Sequence, residues 1–129
     1  MNKARNILGA ITGIILILSS GAHSFLGWRA MRAALVDTNA PDELITGLAI
    51  GWNFAGLSIF LFGCILLGVF VPRIRGRMTP LWPARLIGIA YTIAGLVAYK
   101  VSSMNFFMTV FVVPGVLIAL ASWGSDSEQ

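Results

Sequence analysis

The chain has 129 residues, enough for one domain, with 57% hydrophobic and only 11% charged residues, against about 25% charged residues in soluble domains. A soluble fold of this length buries only about two-thirds of its surface, so this composition excludes an ordinary soluble domain and predicts a chain surrounded by lipid. The formal net charge of +4 does not indicate a nucleic-acid partner, because the basic residues lie where they would orient membrane spans.

The apolar segments predict four membrane-spanning helices, since about 20 apolar residues cross the hydrocarbon core of a bilayer. The predicted spans cover about residues 7–25, 44–71, 83–101 and 105–123 of a single domain, residues 1–129, that ends in a cytoplasmic tail, residues 124–129. Within lipid, backbone polar groups have to be paired inside their own segment, so the spans are expected to be helices. The predicted fold is all-α, a membrane-embedded four-helix bundle.

The first predicted span has a second interpretation. It begins after Lys3 and Arg5, and the small residues Ser20 and Ala22 follow its apolar stretch. This order is also typical of a secretory signal peptide, which would be removed with residues 1–22. The apolar character resumes after residue 24, and the other spans need a first partner. We therefore favour a retained span, and cleavage stays open as an alternative.

The segments between the spans indicate where helices begin and end. After the first span, Arg29 and Arg32 fall on one side of a helical pattern and apolar residues on another, which is typical of a helix at the membrane interface. Asp42 and Glu43 would start the second span, because acidic side chains stabilise a helix N-terminus. Pro72 would end that span.

Basic residues predict the orientation of the bundle. Positive residues are enriched in cytoplasmic loops, and with four crossings six basic residues fall on one side and three on the other. The six are Lys3, Arg5, Arg73, Arg75, Arg77 and Arg85, and the three are Arg29, Arg32 and Lys100. We therefore expect both termini in the cytoplasm and a multi-pass protein of the inner membrane.

Small residues at a spacing of four predict close helix packing, since helices in lipid associate through such stripes. The stripes are Gly9 and Gly13; Gly47, Gly51 and Ala55; Ala90, Ala94, Ala98 and Ser102; and Gly115 and Ala119. They fit either a compact bundle or an oligomer interface.

Several polar side chains are predicted to converge on one level of the membrane. Counting 1.5 Å per residue along each helix places His23, the single histidine, with Trp52 and Asn53 at the outer leaflet boundary. The same count places Tyr99 and Asn105 at that level and Tyr91 near the middle of the membrane. The candidate ligand-binding residues are His23, Trp52, Asn53, Tyr91, Tyr99 and Asn105.

Two interpretations of these residues stay open on the sequence. In one, His23, Asn53 and a tyrosine hydrogen-bond one another and tie the helices together. In the other, they line a cavity open to the outer leaflet that receives a lipid-like molecule with one polar end, such as a quinone or an isoprenoid. No cofactor or metal is expected, because one histidine makes no zinc site and a haem would need Met104, Met108 or a second copy as well.

The sequences GAHSFLGW, residues 21–28, and GLAIGWNFAGLSIFLFG, residues 47–63, resemble those of small, uncharacterised bacterial four-helix membrane proteins. In layout the chain is similar to the DoxX-like group. The resemblance implies a four-helix bundle in a bacterial inner membrane and implies no particular activity.

Three classes of function remain. We favour a non-enzymatic membrane protein, either an accessory subunit of a larger complex or a binder of a lipid-like molecule. An enzyme acting on a lipophilic substrate, with His23 as acid or base, is the second class, and a channel or carrier formed by a homo-oligomer is the third. No carboxylate lies in a predicted span, which argues against a proton-driven pump or drug exporter.

Overall fold

The computed structural model describes residues 2–105 and 110–123, and every regular element within them is helical. This confirms the all-α part of the predicted fold. In chain order the elements are α1 (Lys3–Gly21), a π-helical turn (Ala22–Gly27), α2 (Trp28–Asp37), α3 (Asp42–Ile74), α4 (Trp82–Val101) and α5 (Val112–Ser122). Residues 106–109, near the start of the predicted fourth span, and residues 124–129, the predicted tail, lie outside the described residues.

Three of the described helices are long and apolar enough to cross a membrane. They are the unbroken 35-residue helix Lys3–Asp37, which joins α1, the π-helical turn and α2, the 33-residue α3 and the 20-residue α4. The described fourth helix, α5, has 11 residues, fewer than the roughly 17 that a span requires. The fourth predicted span is therefore described only in part.

The first helix continues to Asp37, well beyond residue 25, where the first span was predicted to end. The segment predicted as an interfacial helix follows α1 through the π-helical turn without a break. Its alanines, arginines and leucine favour helix, and the helix ends where Asn39 adopts a φ of 52°. Asparagine tolerates this left-handed conformation better than most residues, and the Thr38 hydroxyl donates to two carbonyls of the last turn.

The second helix also runs past its predicted end, because Pro72 lies inside its last turn rather than after it. The loop that follows folds back onto this turn. Thr79 Oγ1 donates to the Val69 carbonyl at 2.7 Å, and Arg73 Nη1 donates to the Thr79 carbonyl at 2.5 Å. Arg73 is consequently buried, and the chain reverses at Gly76, whose φ is 82°.

Successive long helices run in opposite directions, and two arginines bring their ends together. Arg5 donates from Nε and Nη2 to the Leu120 carbonyl, at 2.9 and 2.7 Å, and Arg85 Nε donates to the Ser122 carbonyl at 3.2 Å. The starts of α1 and α4 therefore lie beside the end of α5. Cationic side chains stabilise this negative end of a helix dipole, so these arginines have a structural role.

Glycines allow the closest helix contacts in the bundle. An added Cβ at Gly63 of α3 would lie 2.7 Å from the Gly13 carbonyl oxygen of α1, and one at Gly95 of α4 would lie 2.7 Å from the Val112 nitrogen of α5. The predicted stripe that includes Gly13 thus packs as expected. On α4 the close contact uses Gly88 and Gly95, which the predicted alanine stripe did not include.

The hydrophobic core lies in the half of the bundle that carries the arginine-rich loop. Fully buried side chains of α3 and α4 meet there, among them Leu66, Phe70 and Ala84, each with 0% exposure. In the other half, an added Cβ at Gly47 or Gly51 would meet nothing within 4 Å. The helices α3 and α4 therefore pack at one end and separate toward the other.

Candidate functional site

A cavity of about 730 Å³ lies where α3 and α4 separate, and we call it the α3–α4 groove. One wall is a face of α3 from Gly47 to Phe62, about 22 Å long at 1.5 Å per residue. The facing wall is formed by residues of α4 that include Tyr91, and Phe111 and His23 complete the lining. The groove is therefore long and narrow.

Small side chains on both walls create the space. Gly47, Gly51 and Ala55 of α3 face Ala90 and Ala94 of α4 across the groove. These residues belong to two of the predicted small-residue stripes. Instead of bringing the two backbones together, they leave a gap between them.

His23 belongs to the groove lining and stacks on Trp52, five positions after Gly47 on the α3 wall. The two rings are nearly parallel, with an interplanar angle of 4° and centroids 4.4 Å apart. Trp52 Nε1 donates to the His23 carbonyl oxygen at 2.7 Å. This carbonyl also accepts from the Trp28 nitrogen, the long bond of the π-helical turn, so both of its lone pairs are used. A polar contact therefore fixes the π-helical turn to α3.

Tyr91 lies further along the groove, on the opposite wall. Its side chain is 9% exposed, and its ring meets Phe62 edge to face, with centroids 6.1 Å apart. Phe62 follows Trp52 by ten positions on α3, so the two ring pairs are separated by about 15 Å along that helix. His23 and Tyr91 consequently mark two separate points of one groove.

Two polar atoms in this lining have no hydrogen-bond partner among the described residues. They are His23 Nε2 and Tyr91 Oη, and both are buried. Most buried polar atoms in proteins are paired, and an unpaired one costs about 1–3 kcal/mol. The other polar groups of the lining have partners, since the Ser58 hydroxyl donates to the Phe54 carbonyl at 2.9 Å. Two residues of the lining thus each carry a buried polar atom without a partner, and the walls are otherwise apolar.

Three of the six candidate residues, His23, Trp52 and Tyr91, line the groove, and Asn53, Tyr99 and Asn105 do not. Asn53 is exposed and donates from Nδ2 to the Ala49 carbonyl of its own helix at 2.8 Å. Tyr99 is half-buried near the end of α4, and Asn105 is exposed in the turn after it. The expected hydrogen bonds among His23, Asn53 and a tyrosine are therefore not formed.

Phe62, Ser58 and Phe111 belong to the lining, although sequence reasoning did not include them. Positions 52, 55, 59 and 62 follow the spacing that keeps residues on one face of a helix. That spacing, started from Trp52, would have identified Phe62. Phe111 had no comparable signal in the sequence.

The described residues of the lining include no lysine, arginine, aspartate or glutamate. Among residues 2–105 and 110–123, no three His, Cys, Asp or Glu side chains come close enough together to hold a metal ion. Met108, one of the methionines considered as a haem ligand, lies outside these residues. The geometry therefore describes an apolar groove with two polar positions.

No family model matches this chain, and no curated protein or solved structure shows a significant similarity to it. The resemblance to DoxX-like proteins stays a prediction.

Replacement of Trp52 tests its contact with the π-helical turn. Trp52→Phe keeps a ring beside His23 but removes the indole donor, so we expect the free energy of unfolding to fall by about 1 kcal/mol. Unfolding of the purified protein by SDS in mixed micelles measures this change. Trp82→Phe is the matched control because Trp82 is 61% exposed, and it should leave the value unchanged. Equal effects of the two variants would show that the contact does not stabilise the fold.

Proposed function

We propose that the protein is an integral membrane protein that binds one lipid-like molecule, such as a quinone, an isoprenoid or an acyl lipid, in the α3–α4 groove. The observation that carries this proposal is the pair of unpaired polar atoms, His23 Nε2 and Tyr91 Oη, on otherwise apolar walls. Ligand sites of this kind are mostly apolar clefts of roughly 300–1,000 Å³ with a few polar groups that orient the ligand. The groove has this composition and this size.

Exposed apolar side chains support a membrane location. Phe54, Ile50 and Leu18 are 70%, 68% and 69% exposed, and they belong to two of the three long apolar helices. Such surfaces are unfavourable in water and favourable in lipid. The groove itself is bordered by the exposed Phe54, so a molecule dissolved in the bilayer could enter from the side.

The charge distribution supports an outer-leaflet position for the groove. Arg5, Arg73 and Arg85 lie at the end of the bundle that holds the core, and Asp42 and Glu43 begin α3 at the other end. The positive-inside rule then assigns the arginine end, with both termini, to the cytoplasm. The groove opens in the opposite half of the bundle, which faces the outer leaflet, and reaches inward to Tyr91 at the edge of the core.

The proposal is tested by filling the groove without disturbing the packing. The protein is extracted from its membranes in mild detergent and purified, and its bound molecules are identified by mass spectrometry. We expect one class of apolar molecule to accompany the native protein. Gly51→Leu should reduce its amount by about tenfold or more, because the new side chain enters a space in which an added Cβ meets nothing within 4 Å.

Gly68→Leu is the matched control for this experiment. Gly68 lies on the same helix, an added Cβ there also meets nothing within 4 Å, and the residue does not line the groove. This variant should retain the bound molecule, and both variants should melt at the native temperature or above it. Equal amounts of bound molecule in the two variants, or none in the native protein, would exclude the groove as a binding site.

A further inference from the structure

The spacing of the two unpaired polar atoms constrains the kind of molecule that the groove accepts. His23 stacks on Trp52, and Tyr91 meets Phe62. Since Trp52 and Phe62 are ten positions apart on α3, the two ring pairs that contain the polar atoms are separated by about 15 Å along that helix. A ligand with its only polar group at one end can pair with one of these atoms, and its hydrocarbon part would cover the other.

We infer that the ligand is an uncharged amphiphile with two hydrogen-bonding groups, one at each of these points, joined by a hydrocarbon segment. This inference rests on the proposed function of the groove. A long-chain diol, a hydroxylated acyl ester or a similar doubly oxygenated chain has this chemistry. A quinone with a plain isoprenoid tail does not, because both of its carbonyl groups lie on one ring.

The absence of charge in the lining explains why the ligand is uncharged. Burial of an ionised group is unfavourable unless an opposite charge accompanies it, and the lining contains no lysine or arginine that could pair with a phosphate or a carboxylate. The Tyr91 hydroxyl can donate to an oxygen of the ligand or accept from a hydroxyl. Neutral hydroxyl and carbonyl groups fit both positions.

The cost of an unpaired hydroxyl explains why Tyr91 discriminates between ligands. A plain hydrocarbon chain in the groove would leave Tyr91 Oη without a partner, whereas a second oxygen on the chain would supply one. Both His23 Nε2 and Tyr91 Oη are screened by neighbouring side chains. A ligand that bonds to them therefore displaces the side chains that screen them.

Matched pairs of simple probes test this inference. Saturated α,ω-diols of increasing length are titrated into the full-length protein in detergent micelles, each beside the 1-alkanol of equal length, and the Kd values are measured by calorimetry. The quantity of interest is the Kd of the alkanol divided by that of the diol. We expect this ratio to be about tenfold larger for the native protein than for Tyr91→Phe, and to be greatest at the chain length that spans the two polar positions.

Comparison between variants removes the influence of the detergent, because partition of the probes into micelles is the same for each protein. Tyr91→Phe removes a hydroxyl that has no partner, so it should fold at least as stably as the native protein. Tyr99→Phe is the control, since Tyr99 lies on the same helix outside the groove, and it should keep the native ratio.

The outcomes separate the inference from the proposed function. Equal ratios in the native protein and Tyr91→Phe would overturn the two-point ligand. If the alkanols still bind the native protein and bind Gly51→Leu at least tenfold more weakly, the groove remains a binding site for a lipid-like molecule, and only the two-point ligand is wrong. If neither probe binds the native protein at any length, both the inference and the proposed function are wrong.

Discussion

Gly63→Ala is expected to lower the free energy of unfolding by about 3 kcal/mol, as overpacking of a tight interior contact does. The added Cβ would lie 2.7 Å from the Gly13 carbonyl oxygen and 3.0 Å from the Ile17 nitrogen. Both are backbone atoms, so no side chain can rotate away and the two helices have to move apart. Unfolding by SDS in mixed micelles measures the loss.

Gly68→Ala is the control for the same chemical change on the same helix. An added Cβ at Gly68 meets nothing within 4 Å, and alanine favours helix over glycine by about 1 kcal/mol. This variant should therefore be as stable as the native protein or slightly more so. If Gly63→Ala were equally stable, the close approach of α1 and α3 would be wrong, and with it the register that places His23 beside Trp52.

The second large effect concerns the orientation of the bundle, and it is measured with reporters whose signal is either present or absent. A green fluorescent protein inserted after Gly76 should fluoresce, and an alkaline phosphatase inserted there should be inactive, because this loop is expected in the cytoplasm. The same reporters inserted after Thr38 should give the reverse pattern. The reason is the excess of basic residues at one end of the bundle, where Arg5 and Arg85 also bond to the end of α5.

The reporter experiment also tests the leaflet assigned to the groove. Phosphatase activity after Gly76 would place the arginine-rich loop outside and the groove in the inner leaflet. Activity of one reporter at both sites would mean that α1 and α3 do not both cross the membrane. Expression of each fusion is compared by immunoblot, so that a weak signal is not mistaken for a change of side.

Depth along a helix could be predicted from the sequence, and this explains which site residues were found. Counting residues from the span ends brought His23 and Trp52 to one level, and the structure stacks their rings. Depth does not determine which way a side chain faces. Consecutive residues point about 100° apart around a helix axis, so Trp52 faces the groove while Asn53 bonds to its own helix.

The small-residue stripes could be recognised in the sequence, but the sequence did not show whether each stripe packs against a helix or borders a groove. Gly9 and Gly13 have the same spacing as Gly47 and Gly51. The first pair packs against α3, and the second borders an open groove. The difference depends on where α3 and α4 separate, which is a property of the packed bundle. No local pattern in either stripe contains that information.

The π-helical turn was also beyond prediction from the sequence. Residues 22–27 continue an apolar helical pattern with no proline or other break. The wider turn is recognisable only from the backbone, through the bond from the Trp28 nitrogen to the His23 carbonyl. The π-helical turn is relevant to the candidate site because Trp52 Nε1 donates to the same His23 carbonyl.

The length of the helix Lys3–Asp37 has a consequence for what lies outside the bilayer. Its 35 residues extend over about 52 Å, whereas the hydrocarbon core is about 30 Å thick, and α3 is nearly as long. If the helix stands nearly upright, and if the bundle has the proposed orientation, the hairpin of α2 and the start of α3 would project beyond the hydrocarbon core at the outer leaflet, at the groove end of the bundle. A protein that delivered or collected a hydrophobic cargo on that side would meet this projection, with Arg29 and Arg32 on its surface, before it reached the lipid.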